Sequence, residues 1–132
     1  MCIRDSSLRC VELQIKKRQL VYCDFDGMIA PEMIKKRPVI IVSWRYRHGL
    51  YTVVPVSTSA PTKVEDWHYK LPKKSLPTSL RTQECWVKCD MITSVATSRL
   101  DRVKNGGQFA NFFVSEDDFD EIIKGIKVFF EF

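Results

Sequence analysis

Several signatures that would settle the class of this sequence are missing from it. No apolar run approaches the roughly 18 residues of a membrane span, which argues against a helical membrane protein. The N-terminus, MCIRDSSLRCVELQIKK, has neither an apolar core nor a small-residue cleavage site, so it does not read as a secretory signal. The five cysteines, Cys2, Cys10, Cys23, Cys85 and Cys89, are odd in number and fit no disulfide framework. Reduced thiols in a cytoplasmic protein are the expectation. Cys85 and Cys89 have no second pair, and His48 and His68 lack metal-ligand spacing, so neither zinc nor another metal is expected. No Gly-rich phosphate loop and no GxSxG elbow occur, which removes the P-loop and α/β-hydrolase classes. Internal repeats and low-complexity segments are absent too.

What is present suits one small domain. A chain of 132 residues with 45% hydrophobic composition can bury a single core. The first 15 residues carry no fold pattern and read as an extension, leaving 16–132 as the domain. The net charge is +5, unevenly spread. Residues 115–132 set six carboxylates against Lys124 and Lys127, a net −4, so the rest of the chain carries +9. A basic body with an acidic end favours an anionic partner, although a mixed solvated surface is an equally good reading of charge alone.

Strand patterns dominate. QLVYCDF (19–25) reads as a first strand, and PVIIVS (38–43) as a strand buried on both faces, with Pro38 at its start. LYTVVPVSTS (50–59) reads as another, and Pro55 predicts an edge position or a bulge. WHYKL (67–71) alternates, ECWVKCDMITSVA (84–96) reads as one long strand, and QFANFFV reads as the last. TSRLDRVKNGG reads as a turn or short helix. The end of the chain predicts an amphipathic helix with Ser115 as N-cap, Asp118 as a capping partner and an acidic first turn. Phe119, Ile122, Ile123, Ile126 and Phe130 form its buried stripe. The sum is a mainly β fold with a C-terminal helix, arranged as a small, partly open barrel.

Three polar clusters fall at strand ends. Arg37 follows Lys35 and Lys36, with Glu32 in the same loop; a guanidinium fork matches phosphate. Ser57, Thr58 and Ser59 leave a strand just after Pro55, where hydroxyls and N–H groups can hold phosphate oxygens. Lys88 and Asp90 are two apart on the expected long strand, so they should face one side, where a carboxylate beside a cation can take a proton. Singly, each has a plainer reading: an edge charge, a turn, a surface ion pair worth under about 1 kcal/mol.

The ordered set DFDG…PE…KKRPVIIVS…TVVPVSTS…WVKCD…RLDRV resembles the PemK/MazF family of bacterial toxins, from about Gln19 to the final helix. EMIKKRP has the form of the family's loop ending in Arg-Pro, VVPVSTS its hydroxyl-bearing strand end, and VKCD its late basic residue two before Asp. The resemblance implies an SH3-like barrel, usually a homodimer. It implies metal-independent, sequence-specific cleavage of single-stranded RNA by the adjacent 2′-hydroxyl, leaving a 2′,3′-cyclic phosphate and a 5′-hydroxyl. It also implies a cognate antitoxin as partner. Carried onto this sequence, Arg37 stabilises the phosphorane or acts as acid, and Ser57 and Thr58 hold the scissile phosphate. Asp90 matches a carboxylate proposed as base in some members, Lys88 stands where some members have Arg, and Glu32 matches a loop carboxylate needed in some members. Lys lacks the bidentate fork, and Pro31 replaces a His found in some members.

Single-stranded bases need aromatic platforms, for which Trp44 and Trp67 are candidates beside Tyr46 and Tyr69. Lys35, Lys36, Arg45 and Ser59 are candidates for backbone contact. Two other readings stay open at this point. One is a gyrase-poisoning toxin of the same fold, against which the KKRP and VST phosphate features argue. The other is a catalytically decayed member that binds RNA, which Lys88 and Pro31 keep alive.

Overall fold

The computed structural model of the protein describes residues 15–27, 36–43, 49–105 and 108–131. It is mainly antiparallel sheet with one C-terminal helix, as the hydrophobic patterns predict. The strands are β1 (Gln19–Asp24), β2 (Lys36–Ile41), β3 (Leu50–Ser57), β4 (His68–Leu71), β5 (Cys85–Lys88), β6 (Thr93–Ala96), β7 (Leu100–Asn105), β8 (Gln108–Ala110) and β9 (Phe112–Phe113). Helix α1 spans Glu116–Phe130. The strand order is β4-β5-β3-β2-β1-β7-β8, with β6 also on β3 and β9 also on β1. Among the described residues no helix is long and apolar enough to cross a membrane.

β-Branched runs build the centre. Along β1, β2 and β3 successive side chains enter two different cores. Leu20, Ile40, Val54 and Val56 join a core under α1, capped by Phe119 and Ile122. Val21, Val39, Ile41 and Val53 join the other, with Phe25, Tyr51 and Leu100. Strands buried on both faces need no polar alternation, which explains the near-continuous apolar runs. Ile15, placed by the sequence in the extension, belongs to this second core, and its carbonyl accepts the Tyr51 hydroxyl at 3.0 Å.

Three expectations need correction. The stretch 84–96 is two strands, not one: a 3-10 turn at Cys89–Met91 separates β5 from β6. β3 pairs Val56 with Val87 but Val53 with Thr93, so the register moves by three residues across the turn. Pro55 is therefore neither at an edge nor in a bulged strand. It is buried within an interior strand, paired with Val39 on one side and facing the β5–β6 interruption on the other, where no ladder requires its missing N–H. The third correction is LDRVKN, which is strand β7; the expected turn is confined to Thr97–Arg99, a 3-10 turn. Leu100 and Val103 enter opposite cores, so neither face shows a repeat.

Helix α1 is fastened at its start and pressed close in its middle. Ser115 caps it, its hydroxyl accepting the Asp118 N–H at 3.1 Å. The buried Asp118 carboxylate accepts hydrogen bonds from Tyr69 of β4 at 2.6 Å, from Ser115 at 2.9 Å and from Ser75. Gly125 lies where the helix crosses the sheet; a Cβ there would stand 3.0 Å from Cys89 Sγ and 3.1 Å from the Trp67 carbonyl. The buried stripe ends earlier than the spacing predicts: Ile122 is buried, but Phe130 is 46% exposed.

Candidate active site

Directly opposed residues of antiparallel strands share a face. One row across the sheet runs Lys70, Trp86 and Ser57 on β4, β5 and β3. The β2–β3 register, carried two residues past Val39 and Pro55, sets Arg37 opposite Ser57, and Arg37 is itself paired with Cys23 of β1. The next row on the same face opens with His68 and Lys88. Arg37, Ser57, Trp86, Lys70, Lys88 and His68 thus share the sheet face opposite α1, and pairing brings together residues that are scattered along the sequence.

The Arg37 side chain is half-buried, and its Nε is buried with no hydrogen-bond partner among the described residues. Such a group is expensive to leave unpaired unless a ligand completes it. Ser57 is buried; its hydroxyl accepts the Ser59 N–H at 3.1 Å and donates to the Ser59 carbonyl at 3.2 Å. That closes a local turn, so Ser57 shapes the strand end rather than offering a free hydroxyl. Thr58, half-buried beside it, makes no hydrogen bond to the described residues, and Ser59 is exposed. Lys70 is held 2.8 Å from Glu84 and lies 5.9 Å from the centre of the Trp86 ring. The Lys70 hydrogen bond keeps the Glu84 carboxyl below its ordinary range. Trp86 Nε1 is another buried donor without a partner among the described residues.

Asp90 comes to this neighbourhood by a different route from the one the sequence suggests. It sits in the 3-10 turn, so the strand alternation invoked for Lys88 and Asp90 does not apply. The group close to its carboxylate is His68, with Nε2 3.8 Å from Oδ1, and not Lys88, which forms no ion pair among the described residues. The turn divides its side chains between the two faces. Cys89 Sγ donates to the Ile122 carbonyl of α1 at 3.5 Å, and burial with the nearby Asp90 charge pushes this thiol up to about 12.

The remaining candidates disperse. Lys36, next to Arg37 on the strand, faces the other way, with Nζ 6.0 Å from the Tyr22 ring. Trp67 packs its ring edge-to-face on Phe129 at 5.4 Å, on the helix side. Glu32, Lys35, Trp44 and Arg45 lie outside the described residues.

A model of the PemK-like, MazF-like toxins of type II toxin–antitoxin systems matches residues 16–130. The chain belongs to this family. Its fold is that of MazF: the MazF structure from Deinococcus radiodurans superposes with a TM-score of 0.65 at 20% identity, covering 89% of this chain and 96% of that one. A mycobacterial endoribonuclease solved with its cognate antitoxin gives 0.62 at 16% identity, over 88% and 94% of the two chains. An uncharacterised Haemophilus influenzae protein is 26% identical over 110 residues, 79% of this chain and 75% of its own.

In this MazF-like toxin, sequence reasoning passed over Trp86, Lys70 and His68 as site residues, because only the β4–β5–β3 register places them beside Ser57. It passed over Arg99 as well. The Arg99 guanidinium donates to the Asp24 and Asp26 carbonyls at 2.8 and 2.9 Å, fastening β7 to the end of β1. RLDRV carried a hint of this as a family motif but not the contact.

Proposed function

We propose that this toxin is a cytoplasmic, metal-independent endoribonuclease that cuts single-stranded RNA at short specific sequences, works as a homodimer and is silenced by a cognate antitoxin. The observation that carries this reading is Arg37: a buried guanidinium nitrogen with no hydrogen-bond partner among the described residues, across the sheet from Ser57 at the strand end that leads into Thr58. Such a group suits a phosphate that gains negative charge as the reaction proceeds. A further support is membership of a family whose solved relatives include an endoribonuclease with its antitoxin.

The chemistry divides among these residues as follows. The ribose 2′-O–H bond breaks and its proton passes to Asp90 while the 2′-oxygen bonds to phosphorus. The bond from phosphorus to the 5′-oxygen breaks, and that oxygen takes a proton from the Lys88 ammonium. Exchange with solvent returns both groups to their starting states. An arginine does not give up its proton, so Arg37 neutralises the phosphorane rather than acting as acid. Trp86, between Lys70 and Ser57 in the row, offers an apolar surface for a flanking base.

Incubation of purified protein with mixed single-stranded RNA in EDTA tests the proposal. The expected products carry 2′,3′-cyclic phosphate and 5′-hydroxyl ends, and Arg37→Ala forms them about 10²–10³-fold more slowly. Intact RNA with the parent protein, or equal cleavage by the variant, sinks the reading.

A further inference from the structure

The catalytic scheme above assigns no part to the histidine beside its base. The His68 side chain is only 7% exposed, so RNA does not reach it. Its own loop sets its orientation. The His68 N–H donates to the Glu65 carbonyl at 3.0 Å, and the Glu65 N–H donates to His68 Nδ1 at 2.9 Å. A ring nitrogen that accepts a hydrogen bond carries no proton, so the neutral ring holds its proton on Nε2. That nitrogen faces Asp90 Oδ1, 3.8 Å away. Oδ1 is buried and has no hydrogen-bond partner among the described residues, while the Asp90 side chain as a whole is 32% exposed. Oδ1 is therefore no part of the exposed surface, and Oδ2 is the carboxylate oxygen left to meet a substrate.

We propose that His68 is a positioning residue for Asp90: its Nε2–H holds Oδ1, leaving Oδ2 turned toward the ribose 2′-hydroxyl of bound RNA. This role rests on the RNA-cleavage reading. The present separation is longer than a hydrogen bond, and catalytic contacts in free enzymes commonly tighten only when substrate binds. Lys88, directly across from His68 on β5, puts the acid of the scheme next to the group that steadies the base.

Two variants and a double mutant test the role. His68→Leu removes the donor, whereas His68→Gln puts an amide N–H close to where Nε2 stood. In single-turnover cleavage in EDTA, His68→Leu should slow the bond-breaking step by roughly tenfold to a hundredfold, part of what a general base contributes. KM should stay near the parent value, and Gln should restore most of the rate. In an Asp90→Asn background His68→Leu should have no further effect, since it acts through that carboxylate. Ring ¹⁵N shifts should show the Nε2–H tautomer in the parent and should move in Asp90→Asn. An equal penalty for His68→Leu with and without Asp90, or ring signals indifferent to Asp90→Asn, overturns the proposal. An active parent with His68→Leu equally fast also overturns it, and leaves the cleavage reading standing. A parent that yields no cyclic-phosphate ends removes that reading, and this role with it.

Discussion

Replacing Asp118 by alanine should free the start of the C-terminal helix from the sheet. The carboxylate accepts from Tyr69, Ser75 and Ser115, and it is 5% exposed, so water cannot take its place. Hydrogen bonds to charged groups contribute about 1.5–3 kcal/mol each, and three on one acceptor do not add fully. A loss of about 3–5 kcal/mol follows, on the order of 10–20 °C in Tm for a domain of this size. Asparagine keeps one acceptor oxygen and should lose about half as much. The pH dependence gives a sharper check. Burial pushes the Asp118 pKa up, but the hydrogen bonds from Ser75, Tyr69 and Ser115 outweigh burial and hold it below the usual carboxylate value. A carboxyl depressed in the folded state stabilises fully above its unfolded pKa, and that stabilisation disappears as pH falls through the folded value. Urea melts of the parent and Asp118→Asn should therefore converge as pH drops from about 5 to 3, the parent losing more. Parallel acid profiles, or an alanine penalty under about 1 kcal/mol, would refute the latch.

Other outcomes follow from the same packing and site geometry. Gly125→Ala should destabilise by about 1–2 kcal/mol in denaturant melts, because the added methyl meets a buried sulfur and a fixed carbonyl. The gain of about 1 kcal/mol expected at an exposed helix position would show that the helix can lift. Arg37→Ala should lower single-turnover RNA cleavage by about 10²–10³-fold, the loss typical of one oxyanion-type donor, and a rate near the parent's would remove Arg37 from the site. Burial raises the thiols of Cys23, Cys85 and Cys89, Cys23 to about 11. In a Cys2→Ser, Cys10→Ser background, Ellman's reagent at pH 8 should find no fast thiol until the protein is unfolded. Prompt labelling of the native protein contradicts that packing.

Local patterns carried much of the fold. The apolar runs of β1 to β3, the helical stripe of α1 and the Ser115 cap are each written within a few consecutive residues, so they were readable without the structure. The break at Cys89–Met91 was not, because ECWVKCDMITSVA has neither Gly nor Pro to mark it and keeps strand-like residues throughout. β7 hid for the opposite reason, with charged residues between Leu100 and Val103. The site divides in the same way. Arg37 and the Ser57–Thr58 pair were visible as residue types beside prolines, but the placing of Arg37 opposite Ser57 depends on strand register, a long-range property. Asp90 was singled out by a strand alternation that its 3-10 turn does not have. Its neighbour His68 carried no local signal, since a lone histidine in an alternating strand reads the same whether it serves a carboxylate or fills space.

The three-residue offset between β5 and β6 has an implication for how this sheet tolerates change. Excising Cys89, Asp90 and Met91 would align the two flanking strands into one uninterrupted partner for β3, since the offset equals the length removed. Apart from Pro55, which the interruption relieves of a ladder partner for its missing N–H, the ladder has no use for the detour. What the detour supplies is a thiol turned toward the helix and a carboxylate turned toward the opposite surface, from adjacent positions. A shortened chain of this kind would be a natural blank for the parent, keeping the flanking strands while lacking the Asp90 carboxylate.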